Sequence, residues 1–262
     1  MKSRISKRSA ALAAFLMIAS VLAIPMMVSA GPVMAMSVAN ENPQTVSPGS
    51  SVTYNISVAN TGDASAIVNL STSGTPSTWT AQLSTSQVTV SVGNTATVYL
   101  TVGAPNNASA DSVGKAIVVI GTYDTGGSNA TKQVTTTTKV SQVFNFGISV
   151  EGAFNKDIAP GSSGTFTLNV SQVSQGNGVN YINLTPNGQQ PDGITLSYSA
   201  NPATLQAFSY STVVVTAFVP QDTVAKQYQY TVSASSQGGG PAQTATLIVN
   251  VTQTWSISLN AV

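Results

Sequence analysis

The chain has 262 residues, room for one large domain or two small ones, and only 6% of them are charged. It contains no Cys and no His, which excludes a disulfide framework, a thiolate or imidazole metal site, and any Ser-His-Asp or Cys-His catalytic set. Beyond Ala30 it keeps five lysines, no arginine and eight acids, a formal net charge of −3, so the clustered cations that nucleic-acid binding needs are missing.

The first segment reads as a targeting signal. Lys2, Arg4, Lys7 and Arg8 precede an apolar run from Ala10 to Val28, and Val28-Ser29-Ala30 supplies small residues for cleavage. Residues 1–30 are therefore expected to form a secretory signal peptide cut after Ala30, with Ala35 a second site. An uncleaved anchor and a pilin-type signal cut near Arg8-Ser9 are the alternatives. Pro25, which breaks helices, weighs against both. No membrane contact is expected once the signal is removed.

From Met34 onward the apolar pattern has period two. Val52, Tyr54, Ile56 and Val58 alternate with polar residues, as do Val98, Leu100 and Val102, and later Phe166, Leu168 and Val170. Such alternation marks strands with one buried face. Turn signals recur between the runs, at Asn60-Thr61-Gly62, Gly126-Gly127, Asn177-Gly178, Asn187-Gly188 and Gly238-Gly239-Gly240. The body also repeats itself. Pro48-Gly49-Ser50-Ser51 returns as Pro160-Gly161-Ser162-Ser163, and Ala96 to Pro105 aligns without a gap on Ser211 to Pro220. An offset of roughly 112 to 115 residues is the size of one seven-stranded sandwich. The expected fold is all-β, with immunoglobulin-like sandwiches over 31–142 and 143–253 and a surplus strand over 254–262.

The stretch Val58-Ala59-Asn60-Thr61-Gly62-Asp63-Ala64, followed by Gly74-Thr75-Pro76 and Trp79, and the run Val92 to Val102 closing at Pro105, resemble Ig-like accessory domains. The likeness is to domains of bacterial and archaeal surface proteins and glycosidases, of the α-galactosidase-associated and CARDB-like types. It covers residues 37 to 105 well. The second repeat departs from it, with Ile194 at the Trp position and no Asn-Thr-Gly turn. The resemblance implies a fold and an extracellular, cell-surface location, but no activity.

The C-terminal segment repeats the junction between the two domains. Val140-Ser141-Gln142 leads into Phe144-Asn145-Phe146-Gly147-Ile148, and Val251-Thr252-Gln253 leads into Trp255-Ser256-Ile257-Ser258-Leu259. Trp255, Ile257 and Leu259 share one face, and an isolated strand cannot bury them. One expectation is donor-strand pairing, in which this strand completes a sandwich in another copy and builds a head-to-tail polymer. The mature N-terminal stretch with Val33, Met34, Met36 and Val38 is an equal candidate for the donated strand. The competing expectations are a strand folded back onto its own domain or packed between the two. In composition, architecture and loose ends the chain resembles archaeal surface thread and pilus subunits.

Seven sequons follow the signal, at Asn55, Asn69, Asn107, Asn129, Asn169, Asn183 and Asn250, and covalent N-glycans are the expected modification. About five would arise by chance in so Ser/Thr-rich a chain. Alternation puts Asn55, Asn69, Asn169, Asn183 and Asn250 on outward strand faces, and Asn107 and Asn129 in loops. The eight acids are Glu41, Asp63, Asp111, Asp124, Glu151, Asp157, Asp192 and Asp222, and most fall at turns, where they bond their own backbone. Asp111 with Asp124, or Glu151 with Asp157, are the pairs to test for a cation. No catalytic residue, cofactor or metal is expected. Trp79, Tyr181, Tyr198, Tyr210, Tyr228 and Tyr230 are candidates for a sugar platform, although Trp79, Tyr228 and Tyr230 are expected to serve the core. Two functions remain: a structural subunit of a surface filament, or a secreted glycan- or protein-binding adhesion module that does not polymerise.

Overall fold

The computed structural model describes residues 31–173, 176–187, 193–253 and Trp255. The expected signal segment 1–30, Ile257 and Leu259 of the terminal strand, and Asp192 lie outside the described residues. Eighteen strands and no helix are present among those described.

The first sandwich holds β1 (Met34–Val38), β2 (Gln44–Val46), β3 (Ser51–Asn60), β4 (Ala66–Ser73), β5 (Thr80–Leu83), β6 (Gln87–Val90), β7 (Thr95–Gly103), β8 (Asp111–Asp124) and β9 (Asn129–Val140). Its sheets run β1-β3-β7-β5 and β2-β9-β8-β4-β6. The second sandwich repeats this plan with β10 (Gly147–Glu151), β11 (Asn155–Ile158), β12 (Ser163–Ser171), β13 (Asn180–Asn187), β14 (Thr195–Tyr198), β15 (Ala203–Leu205), β16 (Tyr210–Phe218), β17 (Gln227–Ser236) and β18 (Gln243–Val251). Its sheets run β10-β12-β16-β14 and β11-β18-β17-β13-β15. In both, the first strand is split between the sheets. β1 and β10 pair antiparallel with β3 and β12, while β2 and β11 cross over and pair parallel with β9 and β18.

Period-two alternation produces each core directly, because successive side chains point to opposite faces. Tyr54, Ile56 and Val58 on β3 meet Val98, Leu100 and Val102 on β7 and Val68, Ile117 and Val119 across the sandwich. Phe166, Leu168 and Val170 on β12 do the same with Val213, Val215, Ile182, Leu184 and Leu247. Tyr228 and Tyr230 are buried there, as expected.

Three expectations need correction. The N-terminal stretch is not a free strand. Met34 is 1% exposed and heads β1, with Met36 and Val38 packed on the same core and Val33 outside it. Trp79 does not plug the core but is only half-buried at its margin. Its counterpart Ile194 fills the equivalent place completely, and the bulkier indole overhangs. Asp111 and Asp124 cannot share a cation, because they sit at the two ends of the 14-residue β8, about 43 Å apart at the usual strand rise.

Candidate functional site

The built polar site of this molecule is the joint between its sandwiches. The loop after β12 is where the repeats differ. In the first sandwich, Asn60 at the end of β3 turns its carboxamide inward, and Nδ2 donates to the carbonyls of Ala64 and Val90. Gln172 plays the same part in the second, donating to the carbonyls of Gly178 and Gln206. Between these anchors and the next strand lie residues 61–65 in one repeat and 173–179 in the other, so the second loop is two residues longer. That extra length carries Asn177 into the joint, where it is 2% exposed.

Asn177 reaches both sides of the joint. Its Nδ2 donates to the carbonyls of Ala108 (3.2 Å) and Ser141 (2.9 Å), and its Oδ1 accepts from the backbone N–H of Val143 (2.7 Å). Its own carbonyl accepts from the N–H of Ala110 at 2.7 Å. One side chain thus ties the 105–110 loop of the first sandwich, the linker and the second sandwich. Nearby, Gln142 donates to the carbonyl of Val179. The Phe144 ring lies so close to the Gly238–Gly240 turn that a Cβ at Gly238 would fall 2.1 Å from it. Glycine is required there by close approach.

The linker's pattern recurs beyond β18. The Thr252 N–H donates to the Ile158 carbonyl just as Ser141 N–H donates to Val46. Phe144 lies half-buried against the next sandwich, while Trp255, at the corresponding position, is 82% exposed. In the first sandwich that position belongs to Pro32, which is buried.

The sequons divide by accessibility. Asn55, Asn169 and Asn183 are partly buried on strands flanked on both sides, whereas Asn69, also on such a strand, is exposed; Asn69 and Asn183 accept from Gln87 and Gln237. Asn250 donates through Nδ2 to both Asn155 (2.7 Å) and Asp157 (3.0 Å). Asn129 is exposed and opens β9 rather than lying in a loop. Asn107 is exposed in the turn after β7.

Asn107 borders a groove of about 320 Å³ that Trp79 also lines, with Thr78, Ser109, Asp111 and Lys115. Asp111 and Lys115 form an ion pair at 3.0 Å. The backbone N–H of Gly114, then Lys115, hold the Asp111 carboxyl below its ordinary value. The N–H groups of Gly126 and Gly127 do the same for Asp124. Burial pushes the Tyr198 hydroxyl up, and it finds no partner. Among the described residues no three acids come together as a cation site. Tyr210 and Tyr181 are exposed, Tyr210 on a stripe with Val214 and Phe218 along the outer face of β16.

The sequence profile of the NPCBM-associated, NEW3 domain of alpha-galactosidase matches residues 46–115, most of the first sandwich. No curated protein matches. Among solved structures, a protein of unknown function from Porphyromonas gingivalis W83 is 14% identical, covering 83% of this chain and 99% of its own, with a TM-score of 0.35. The D00-D0 domain of intimin is 15% identical, with coverage of 83% and 99% and a TM-score of 0.35. Domains 4 and 5 of the S-layer protein SbsC are 20% identical, with coverage of 52% and 65% and a TM-score of 0.28. The profile match makes the first sandwich similar to Ig-like accessory domains, which are not themselves catalytic.

Proposed function

We propose that this chain is a structural subunit of an extracellular surface filament, assembled head to tail by strand exchange and carrying N-glycans. One observation carries the reading. The segment at Trp255 repeats the approach by which Phe144 and buried Phe146 enter the second sandwich, yet Trp255 is 82% exposed. Three stretches share the same spacing: Pro32-Val33-Met34, Phe144-Asn145-Phe146 and Trp255-Ser256-Ile257. The third replaces the first in another copy, taking the edge position of β1 beside β3. The gain in that exchange is Trp255 in the place of Pro32, with Ile257 and Leu259 matching Met34 and Met36 in bulk; burying one large side chain contributes roughly 1.5–3 kcal/mol. A contact of this kind that does not close into a ring gives an open fibre. Glycans hydrate a surface that so few charges leave poorly solvated.

A second reading is a secreted adhesion module that does not polymerise. The exposed Tyr210, Val214 and Phe218 stripe favours it, because apolar rows on a sheet face mark binding surfaces. Negative-stain imaging of the purified chain, with unboiled gel electrophoresis in sodium dodecyl sulfate, separates the two. Fibres and a detergent-resistant ladder, both abolished by Trp255→Ala, are expected of the subunit. A concentration-independent monomer whose Trp255 fluorescence stays solvent-like rejects the filament.

A further inference from the structure

Trp79 is oversized for its place. Its neighbours Val46, Ala104, Ala108 and Val140 form a small buried cluster, against which the indole packs with one part left outside. At the matching position Ile194 leaves nothing projecting. The overhang floors one wall of a groove of about 320 Å³, at the lower end of the roughly 300–1,000 Å³ range of small-molecule sites. The other walls are polar: Thr78, Ser109 and the Asp111–Lys115 ion pair. An apolar aromatic wall opposite hydroxyl, ammonium and carboxylate groups suits a sugar ring, which has an apolar C–H face and a polar rim.

The residue positioned to deliver that ring is Asn107. It lines the groove, and so does Ser109, the hydroxyl residue of its own sequon. Asn107 is exposed in a turn. In contrast, Asn250 has both of its amide hydrogens engaged, and glycosylation removes one of them.

We propose that Asn107 is an occupied N-glycosylation site whose first sugar, an N-acetylhexosamine or hexose, seats against Trp79 in this groove. The proposal rests on the glycosylated surface protein proposed above and adds the seat. The bond formed is the ordinary N-glycosidic one: the Asn107 amide nitrogen displaces the polyprenyl phosphate from the anomeric carbon of a lipid-linked donor, and its proton leaves with the phosphate. The glycan then covers the indole and lies beside Ala108 and Ala110, which the joint residue Asn177 holds from the other side.

The test uses the full chain expressed in an N-glycosylating host, with Trp255→Phe so that Trp79 is the sole tryptophan. Glycopeptide mass spectrometry should find sugar on Asn107. Asn107→Gln and, separately, Ser109→Ala should each raise the acrylamide quenching constant of Trp79 at least twofold, while the melting profile still shows both sandwiches folded. Two results overturn the proposal and leave surface glycosylation standing: an empty Asn107 when other sequons are occupied, or an occupied Asn107 with unchanged Trp79 quenching. If no sequon carries sugar, the glycosylation reading fails, and this seat fails with it.

Discussion

The two sandwiches share one plan and differ in the polarity of one buried contact between their sheets. In the first, Tyr54 is fully buried and its hydroxyl donates to the Thr137 carbonyl at 2.6 Å and meets Thr138 Oγ1 at 2.9 Å. In the second, Phe166 occupies the Tyr54 position, while Leu247 and Val249 stand where β9 has buried Thr136 and Thr138. The apolar solution gathers a larger continuous core. The polar one is stable only while each hydroxyl keeps its partner, because an orphaned buried group costs about 1–3 kcal/mol. Among the described residues the second sandwich carries the orphaned groups, Tyr198 among them, but its larger apolar core should still make it the more stable of the pair, and the first should be the more easily damaged by single polar deletions.

Phe166→Ala tests this hardest. It should cost the second sandwich about 3–5 kcal/mol and reverse the order of two transitions in a calorimetric melt. Asn177→Ala comes next. It strands the Ala108 and Ser141 carbonyls and the Val143 N–H, with an expected loss of about 2–3 kcal/mol of coupling. Small-angle scattering should then show a broader distribution of lengths, with both transitions retained. Tyr54→Phe should lower the stability of the first sandwich by about 1–2 kcal/mol, and adding Thr138→Val should recover only the part due to the hydroxyl pair, because the Thr137 carbonyl still lacks its donor. A double-mutant cycle that adds without coupling would show that the hydroxyl pair contributes nothing.

Acid should have the smallest effect. Asp111 and Asp124 are held below the ordinary value of 3.8. A depressed folded value adds stability above the unfolded value, and that stability is lost as pH falls through the folded one. Both carboxylates belong to β8, so the first transition should stay level from pH 7 to about pH 4 and decline only below it. A marked fall between pH 7 and pH 5 would contradict this.

The fold was legible because alternation alone assigns faces. Tyr54, Ile56 and Val58 go inside whatever the rest of the chain does. The repeat further implied a second copy of the same plan, which β10 to β18 supply. Long-range consequences were not legible. Asn177 reads as an ordinary Asn-Gly turn signal, and only the docking of residues 105–110 against it turns its carboxamide into the pin of the joint. Trp79 reads as core because large rings usually are. It packs, partly buried, where the main core meets the small cluster of Val46, Ala104, Ala108 and Val140. Nothing local to Asp111 or Asp124 reveals that one 14-residue strand, β8, holds them at its two ends.

The split first strand has a mechanical consequence. β2 lies parallel to β9 and β11 parallel to β18, so in each sandwich a strand near the entry of the chain runs alongside the strand at its exit. Tension applied between the two ends slides such a pair lengthwise. Its hydrogen bonds are then strained together, not opened one after another as in a peeled hairpin. A thread made of these units would resist stretching by shear, and each sandwich would yield abruptly.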